Sequence, residues 1–179
     1  MFDLIMCICS FIINNWQTLI PLIFAIIGGG FALYQWRESV RIRRADFINQ
    51  INDRIRFDKD FATTLYTIEY GNSWYDENFH SEKEKEFAFD KVLSYCDYVC
   101  YLKSNKNITT KEFRVFRYRI NRVCISCSTK RYLWNLYHFS KKSNADCSFQ
   151  FLIDYAIANN LFPKDFKKNT TLYTKTLNW

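Results

Sequence analysis

An uncharged apolar segment near the N-terminus constrains this chain more than any other feature. No Asp, Glu, Lys or Arg falls between Phe11 and Trp36, where the sequence includes the run LIPLIFAIIGGGFA. A helix needs about 20 apolar residues to cross the hydrocarbon core of a bilayer. Trp16 and Trp36 stand near the two ends, and Trp side chains favour the membrane interfaces. We therefore predict a transmembrane helix over residues 16–37.

Four arginines directly after this segment predict its orientation. They are Arg37, Arg41, Arg43 and Arg44, whereas the N-terminal side carries only Asp3. Because Lys and Arg concentrate on the cytoplasmic side, we expect the C-terminal part to be cytoplasmic. These arginines and the two tryptophans are the predicted membrane-interface residues, and the arginines can also contact anionic lipid. No positive region precedes the segment and no small-residue cleavage site follows it, so a signal peptide fits poorly.

A second apolar stretch, Leu4–Ile13, lies within residues 1–15 and is too short to cross a bilayer alone. It can lie in the outer interface as a separate segment, or it can continue into the main helix through Asn14 and Asn15. A hairpin of two short helices is a third arrangement, and it requires a thinned bilayer.

Small residues recur at four-residue spacing within the predicted membrane helix. Ala25 pairs with Gly29 and Gly28 pairs with Ala32 in this spacing. Such pairs let two helix backbones approach closely in a membrane. We therefore expect a homo-oligomer that packs through these four residues.

The remainder of the chain has almost no helix breakers. It contains 4 Gly and 2 Pro in total, and three of the Gly lie in the apolar segment. This composition favours long helices over strands and turns. The predicted fold is all-α, an N-terminal transmembrane helix followed by a small cytoplasmic helical bundle over residues 38–162. A polar tail over 163–179 is expected to be poorly ordered apart from local contacts.

Apolar residues at helical spacing predict the helices of the bundle. The first stripe, over residues 48–68, continues the membrane helix or follows a short break, and residues 72–84 are expected to form an exposed acidic loop. Further helices are predicted over 82–103, from 110 onward through Cys127, and over 148–160. Thr109 and Glu112 form a T-x-x-E capping box, which marks a helix start.

Charge is unevenly distributed along the chain. Residues 61–102 carry eight acids and three bases, whereas residues 103–131 carry nine bases and one acid. A concentrated basic segment suggests an anionic partner, although a solvated helix face has the same pattern. The predicted ligand-binding face comprises Lys111, Arg114, Tyr118, Arg119 and Arg122, with Tyr118 placed to stack on a base. A nucleotide, a nucleic acid or anionic lipid would fit this face.

Seven cysteines and two histidines are the remaining candidates for chemistry. Cys96, Cys100, Cys124 and Cys127 have the spacing of a four-Cys zinc site. All four also fall on apolar helix arcs, where free Cys packs as a small apolar residue. We predict reduced thiols without metal, no cofactor and no catalytic residue. The odd number of cysteines also argues against a disulfide framework.

Several segments together resemble a family of small bacterial membrane-anchored helical proteins of unknown function. These segments are the apolar helix, the exit Gln35-Trp36-Arg37, the helical segments FAFDKVLSYCDYVCYL and ITTKEFRVFRYRI, and the segment YLWNLY. Members of that family occur in antiviral defence systems, beside retrons or cyclic-nucleotide signalling, as transmembrane effectors. The resemblance covers residues 15–160 and supplies no functional residues.

This resemblance implies an inner-membrane effector of antiviral defence rather than an enzyme. Its cytoplasmic domain would sense an anionic signal or a defence-complex protein, and its membrane helices would oligomerise and perturb the inner membrane. The alternative is a non-enzymatic adaptor that recruits a cytoplasmic partner to the membrane.

Overall fold

The computed structural model describes residues 2–71, 73–76 and 78–173, and these ranges contain helices and no strand. The helices are α1 (Phe2–Phe57), α2 (Lys59–Tyr70), α3 (Lys83–Ser104), α4 (Thr110–Ile125), α5 (Cys127–Lys142) and α6 (Gln150–Ala158), and Phe79–Ser81 forms a 3-10 turn. The all-α prediction is confirmed. The chain divides into two compact units, residues 1–51 and 52–179.

Helix α1 is continuous from Phe2 to Phe57, with Pro21 inside it. The backbone of Leu4–Ile13 is therefore continuous with the main helix, as in the second of the three arrangements considered from the sequence. The stretch Trp16–Asp53 of α1 is long and apolar enough to cross a membrane, with a mean hydropathy of 1.7 in its most apolar window. None of that window is buried within the protein.

A short break at Asp58 separates α1 from α2. The Asp58 side chain accepts a hydrogen bond from the backbone N–H of Phe61 at 3.0 Å and so caps α2. Helix α2 ends at Gly71, whose N–H donates to the carbonyl of Thr67 at 2.8 Å. The apolar stripe predicted over 48–68 is thus divided between two helices.

Helix α3 lies at the centre of the second unit and contacts α2, α4 and α6, while α4 also contacts α2 and α5. The predicted inward residues of α3 are buried, namely Phe89, Val92, Leu93, Cys96, Val99 and Cys100. The capping box of α4 is confirmed, because Thr109 Oγ1 accepts from the Glu112 N–H at 3.3 Å and Glu112 accepts from the Thr109 N–H at 2.5 Å. Local sequence signals therefore placed the start of this helix correctly, whereas its predicted continuation through Cys127 was wrong, because α4 ends at Ile125.

The segment before α3 is not an exposed loop, so that prediction was wrong for its aromatic residues. Trp74, Tyr75 and Phe79 are buried. The Trp74 ring lies 4.4 Å from Phe89 and 5.6 Å from Tyr132, measured between ring centroids. The acidic residues of this segment obscured the aromatic ones, which form part of the core.

The tail after α6 also packs onto the bundle. Phe166 is fully buried and lies 4.5 Å from the Phe162 ring, and the Trp134 indole donates to the Asn169 carbonyl at 3.0 Å. The prediction of a poorly ordered tail was wrong for residues 163–173. Residues 174–179, and the side chains of Cys7 and Cys9, lie outside the described residues.

Candidate functional site

The membrane-facing residues predicted from sequence are exposed along α1. Trp16 is 55% exposed and Trp36 is 63% exposed, and apolar side chains between them, such as Phe24 and Ile26, are also exposed. The 21 residues from Trp16 to Trp36 span about 30 Å as a helix, which matches the hydrocarbon core of a bilayer. The first unit therefore offers an apolar surface that water would solvate poorly.

The small residues and the arginines of α1 are likewise exposed. Ala25, Gly28, Gly29 and Ala32 are exposed, and a Cβ added at Gly28 or Gly29 would meet nothing within 4 Å beyond the adjoining helix backbone. Arg37, Arg41, Arg43 and Arg44 are exposed, and Arg41 pairs with Glu38 at 2.5 Å.

The predicted basic face of α4 is divided by the structure into two groups. Arg119 contacts both carboxylate oxygens of Glu69 at 3.3 and 3.4 Å, and the Glu69 side chain is only 1% exposed. Arg122 donates to the Glu69 carbonyl at 3.1 Å and stacks over the Tyr70 ring at 4.8 Å. These two arginines therefore hold α2 against α4 instead of pointing freely into solvent.

Lys111, Arg114 and Tyr118 do point into solvent, and Tyr118 is 64% exposed. Arg114 lines a cavity of about 260 Å³ where the end of α3, the start of α4 and the end of α6 meet. We call this cavity the basic cleft, and its lining residues are Lys103, Thr110, Phe113, Arg114, Arg117, Tyr155 and Asn159.

The basic cleft contains cations that the sequence analysis did not select. Arg117 lies three residues after Arg114, one turn further along α4, and this spacing was the signal that could have found it. Lys103 comes from the last turn of α3, and only the fold brings it to the cleft.

Several polar groups of the basic cleft already bond to the protein. Lys103 Nζ donates to Thr110 Oγ1 at 2.7 Å, and the Tyr155 hydroxyl donates to Asn121 Oδ1 at 2.7 Å. Burial raises the pKa of Tyr155 to about 12, which the nearby Arg117 partly opposes, so this hydroxyl is neutral at physiological pH. In the described ranges, Lys103, Arg114 and Arg117 form no ion pair with a carboxylate.

A separate polar network joins the buried aromatic segment to α3 and α5. His80 Nδ1 lies 2.9 Å from a Glu86 carboxylate oxygen, and His80 Nε2 lies 3.3 Å from the Tyr75 hydroxyl. Asn135 Nδ2 donates to that hydroxyl at 2.8 Å. Tyr75 is only 3% exposed, so a substrate cannot reach its hydroxyl. The carboxylate–imidazole–hydroxyl chain therefore positions this segment.

Three of the four paired cysteines lie in the core. Cys96, Cys100 and Cys124 are buried, as predicted, and burial raises the pKa of the Cys96 thiol to about 12. Cys127 is exposed at the start of α5, so its predicted inward position was wrong. The break at Ser126, between α4 and α5, turns it away. Across the described residues, no three His, Cys, Asp or Glu side chains are grouped to hold a metal ion.

No family model, curated protein or solved structure matches this chain.

Proposed function

We propose that this chain is a membrane-anchored effector of bacterial antiviral defence whose cytoplasmic domain binds an anionic ligand or partner. Helix α1 inserts into the inner membrane, and self-association of α1 perturbs that membrane. The proposal rests on one observation: none of the apolar window of α1 is buried within the protein, and arginines follow this stretch directly in the chain. The defence setting comes from the family resemblance of the sequence.

The basic cleft supports the binding part of this proposal. It gathers cations from two helices without a neutralising carboxylate in the described chain. Grouped like charges favour an anionic partner, because an anion lowers their mutual repulsion. The cleft therefore replaces the broader α4 face as the proposed ligand site.

An exposed aromatic surface favours the adaptor as a second candidate. Tyr66 and Tyr118 are 61% and 64% exposed, and Tyr70 lies between the Tyr66 ring and the Arg122 guanidinium. Tyr and Arg are enriched at protein interfaces and among their most important residues. An adaptor would use this surface to bind a cytoplasmic protein at the membrane.

The orientation is tested with C-terminal fusions to alkaline phosphatase and to a fluorescent protein in a bacterial host. We expect an inactive phosphatase and a fluorescent reporter, because the arginines keep the C-terminal side in the cytoplasm. An active phosphatase with a dark reporter would refute the cytoplasmic placement.

The effector role is tested by inducing the full chain in bacteria and following growth, membrane potential and phage infection. Expression should depolarise cells or protect them from phage, and R114Q/R117Q should abolish the effect. The matched control K83Q/K142Q removes two exposed cations elsewhere and should retain it. An adaptor would instead give no membrane phenotype, and Tyr118→Ala would remove a partner from pull-downs.

A further inference from the structure

We propose that the basic cleft binds a small phosphate ester, with Lys103, Arg114 and Arg117 around the phosphate and the Tyr155 ring, which packs on Phe113, against the organic part. This inference rests on the proposed function only in taking the ligand of the cytoplasmic domain to be anionic. It goes further by assigning the site, the charged group and the size of the ligand.

Charge is the first argument. The lining of the basic cleft holds three cations and no carboxylate. The surface carboxylates nearest in sequence are engaged elsewhere, because Glu112 caps α4 and Asp154 pairs with Lys167. The positive charge of the cleft is thus not neutralised from within the described chain.

Donor geometry is the second argument. The Tyr155 hydroxyl donates to Asn121, and the Asn159 amide donates to the Tyr155 carbonyl at 2.8 Å. These bonds leave the Arg114 guanidinium as a donor for a ligand, and Arg117, which also hydrogen-bonds to the Tyr155 side chain, keeps further N–H groups for the same ligand. Guanidinium groups bind phosphate with two parallel hydrogen bonds, and two of them on adjacent helical turns can share one phosphate.

Size and apolar lining are the third argument. The cavity volume of about 260 Å³ lies near the lower end of the range for small-molecule sites, roughly 300 Å³. Phe113 and Tyr155 lie edge to face with ring centroids 5.3 Å apart. Because Phe113 is only 4% exposed, the half-buried Tyr155 ring supplies most of the apolar wall and Phe113 packs behind it. A small ester fits this space, since its phosphate meets the cations and its organic group meets the rings.

The test is calorimetric titration of the full-length protein in detergent micelles with inorganic phosphate, phenyl phosphate and phenol. Phenyl phosphate should bind at least about tenfold more tightly than phenol, since only the phosphate accepts charged hydrogen bonds from the guanidinium groups. It should also bind more tightly than inorganic phosphate, because its ring packs against the apolar wall. Equal binding of phenol and phenyl phosphate would overturn the proposal.

Variants assign the binding to the cleft. R114Q/R117Q should weaken phenyl phosphate binding by about tenfold or more, R114K/R117K should weaken it less, and K83Q/K142Q should leave it unchanged. Thermal unfolding of each variant checks the fold. If R114Q/R117Q unfolds, phenyl phosphate binding is measured on Arg114→Gln alone. This variant should stay folded, because Arg114 is exposed and has no partner among the described residues. Unchanged binding in a folded variant would refute the site.

A lipid headgroup also carries a phosphate ester. Binding to lipid vesicles distinguishes a membrane lipid from a free phosphate ester as the ligand. We expect phosphatidylglycerol vesicles to bind wild type and R114Q/R117Q alike. Vesicle binding that needs these arginines, without binding of free phenyl phosphate, would overturn the small-ester proposal. Ester binding without any membrane phenotype would instead retain this site and refute the effector role.

Discussion

The arginines of α4 differ in their surroundings, because Arg119 pairs with a buried carboxylate whereas Arg114 is exposed and has no partner among the described residues. The Glu69 side chain is 1% exposed, whereas Arg119 is 39% exposed. A buried carboxylate is costly without its cation, because the protein interior solvates charge poorly. Arg119 is therefore needed for stability, while Arg114 can be replaced at little cost to the fold.

We predict that Arg119→Gln lowers the free energy of unfolding by about 1–2 kcal/mol. The change leaves the buried Glu69 carboxylate without its ion pair, and the partial exposure of Arg119 moderates the loss. Arg114→Gln is the matched control and should stay within about 0.5 kcal/mol. Denaturant unfolding followed by tryptophan fluorescence measures both, since Trp74 and Trp134 are buried in the bundle.

The double variant E69Q/R119Q provides the decisive comparison for this pair. It should be more stable than Arg119→Gln alone, because no uncompensated charge remains. If the two variants are equally stable, the ion pair contributes nothing and only packing at Arg119 matters.

The raised pKa of Asp90 predicts that the stability of the bundle depends on pH. Burial raises the pKa of this carboxyl, as does Glu86, while the hydrogen bond from Tyr132 at 2.6 Å and the neighbouring His80 lower it. The folded state therefore binds the Asp90 proton more strongly than the unfolded chain. This contribution to stability is present below the unfolded pKa of about 3.9 and is lost as pH rises through the folded value.

Asp90→Asn should remove this loss, because the amide keeps an acceptor for Tyr132 and carries no charge. The stability of the variant relative to wild type should rise as pH increases from about 4. Unfolding curves at several pH values measure the difference. A relative stability that falls with rising pH would contradict the raised pKa.

At the scale of single elements, helix α1 contributes residues to both compact units. Its apolar part is exposed over the candidate membrane span, and its last turns belong to the second compact unit. A Cβ added at Gly28, Gly29 or Gly30 has no atom within 4 Å other than those of the adjoining helix backbone. A substitution there is therefore expected to leave the fold of a single chain unstrained, so an effect on self-association would report on contacts between two copies of α1.

We predict that Gly29→Leu weakens self-association, because a bulky side chain keeps two helix backbones apart. Gly30→Leu is the matched control, since Gly30 belongs to neither of the two small-residue pairs. Cross-linking in native membranes measures the oligomer distribution. Equal distributions for wild type and Gly29→Leu would assign assembly to the second unit.

At the scale of the whole molecule, the segment after α6 closes the bundle. Phe166 has no exposed surface, its carbonyl lies 3.3 Å from His138 Nε2, and Tyr173 packs edge to face on Trp134. Residues 163–173 thus cover α5 from a position remote in sequence. Removing them would expose aromatic side chains of the core.

We predict that Phe166→Ala destabilises the bundle by about 3–5 kcal/mol, because it leaves a cavity in a fully buried place. Phe87→Ala is the control, since Phe87 is 73% exposed, and it should stay within about 0.5 kcal/mol. Thermal unfolding of the two variants measures the difference. A small effect of Phe166→Ala would show that the tail packs without contributing to stability.

The sequence by itself determined the features that depend on nearby residues. The apolar span, the capping box at Thr109 and the inward arc of α3 follow from local spacing, because helix geometry relates residues three and four apart. The all-α class follows from the same periodicity and from the scarcity of Gly and Pro.

Only the tertiary structure decided the contacts between distant residues. Glu69 and Arg119 lie 50 positions apart, and the cleft joins Lys103 to Tyr155. Charge and aromatic patterns do not reveal which partner a side chain contacts. The sequence therefore placed Arg119 on an exposed basic face, Trp74 in an exposed loop and Phe166 in a poorly ordered tail. Burial of these groups depends on how the helices pack, and that packing separates the arginines of the basic cleft from those that hold the fold together.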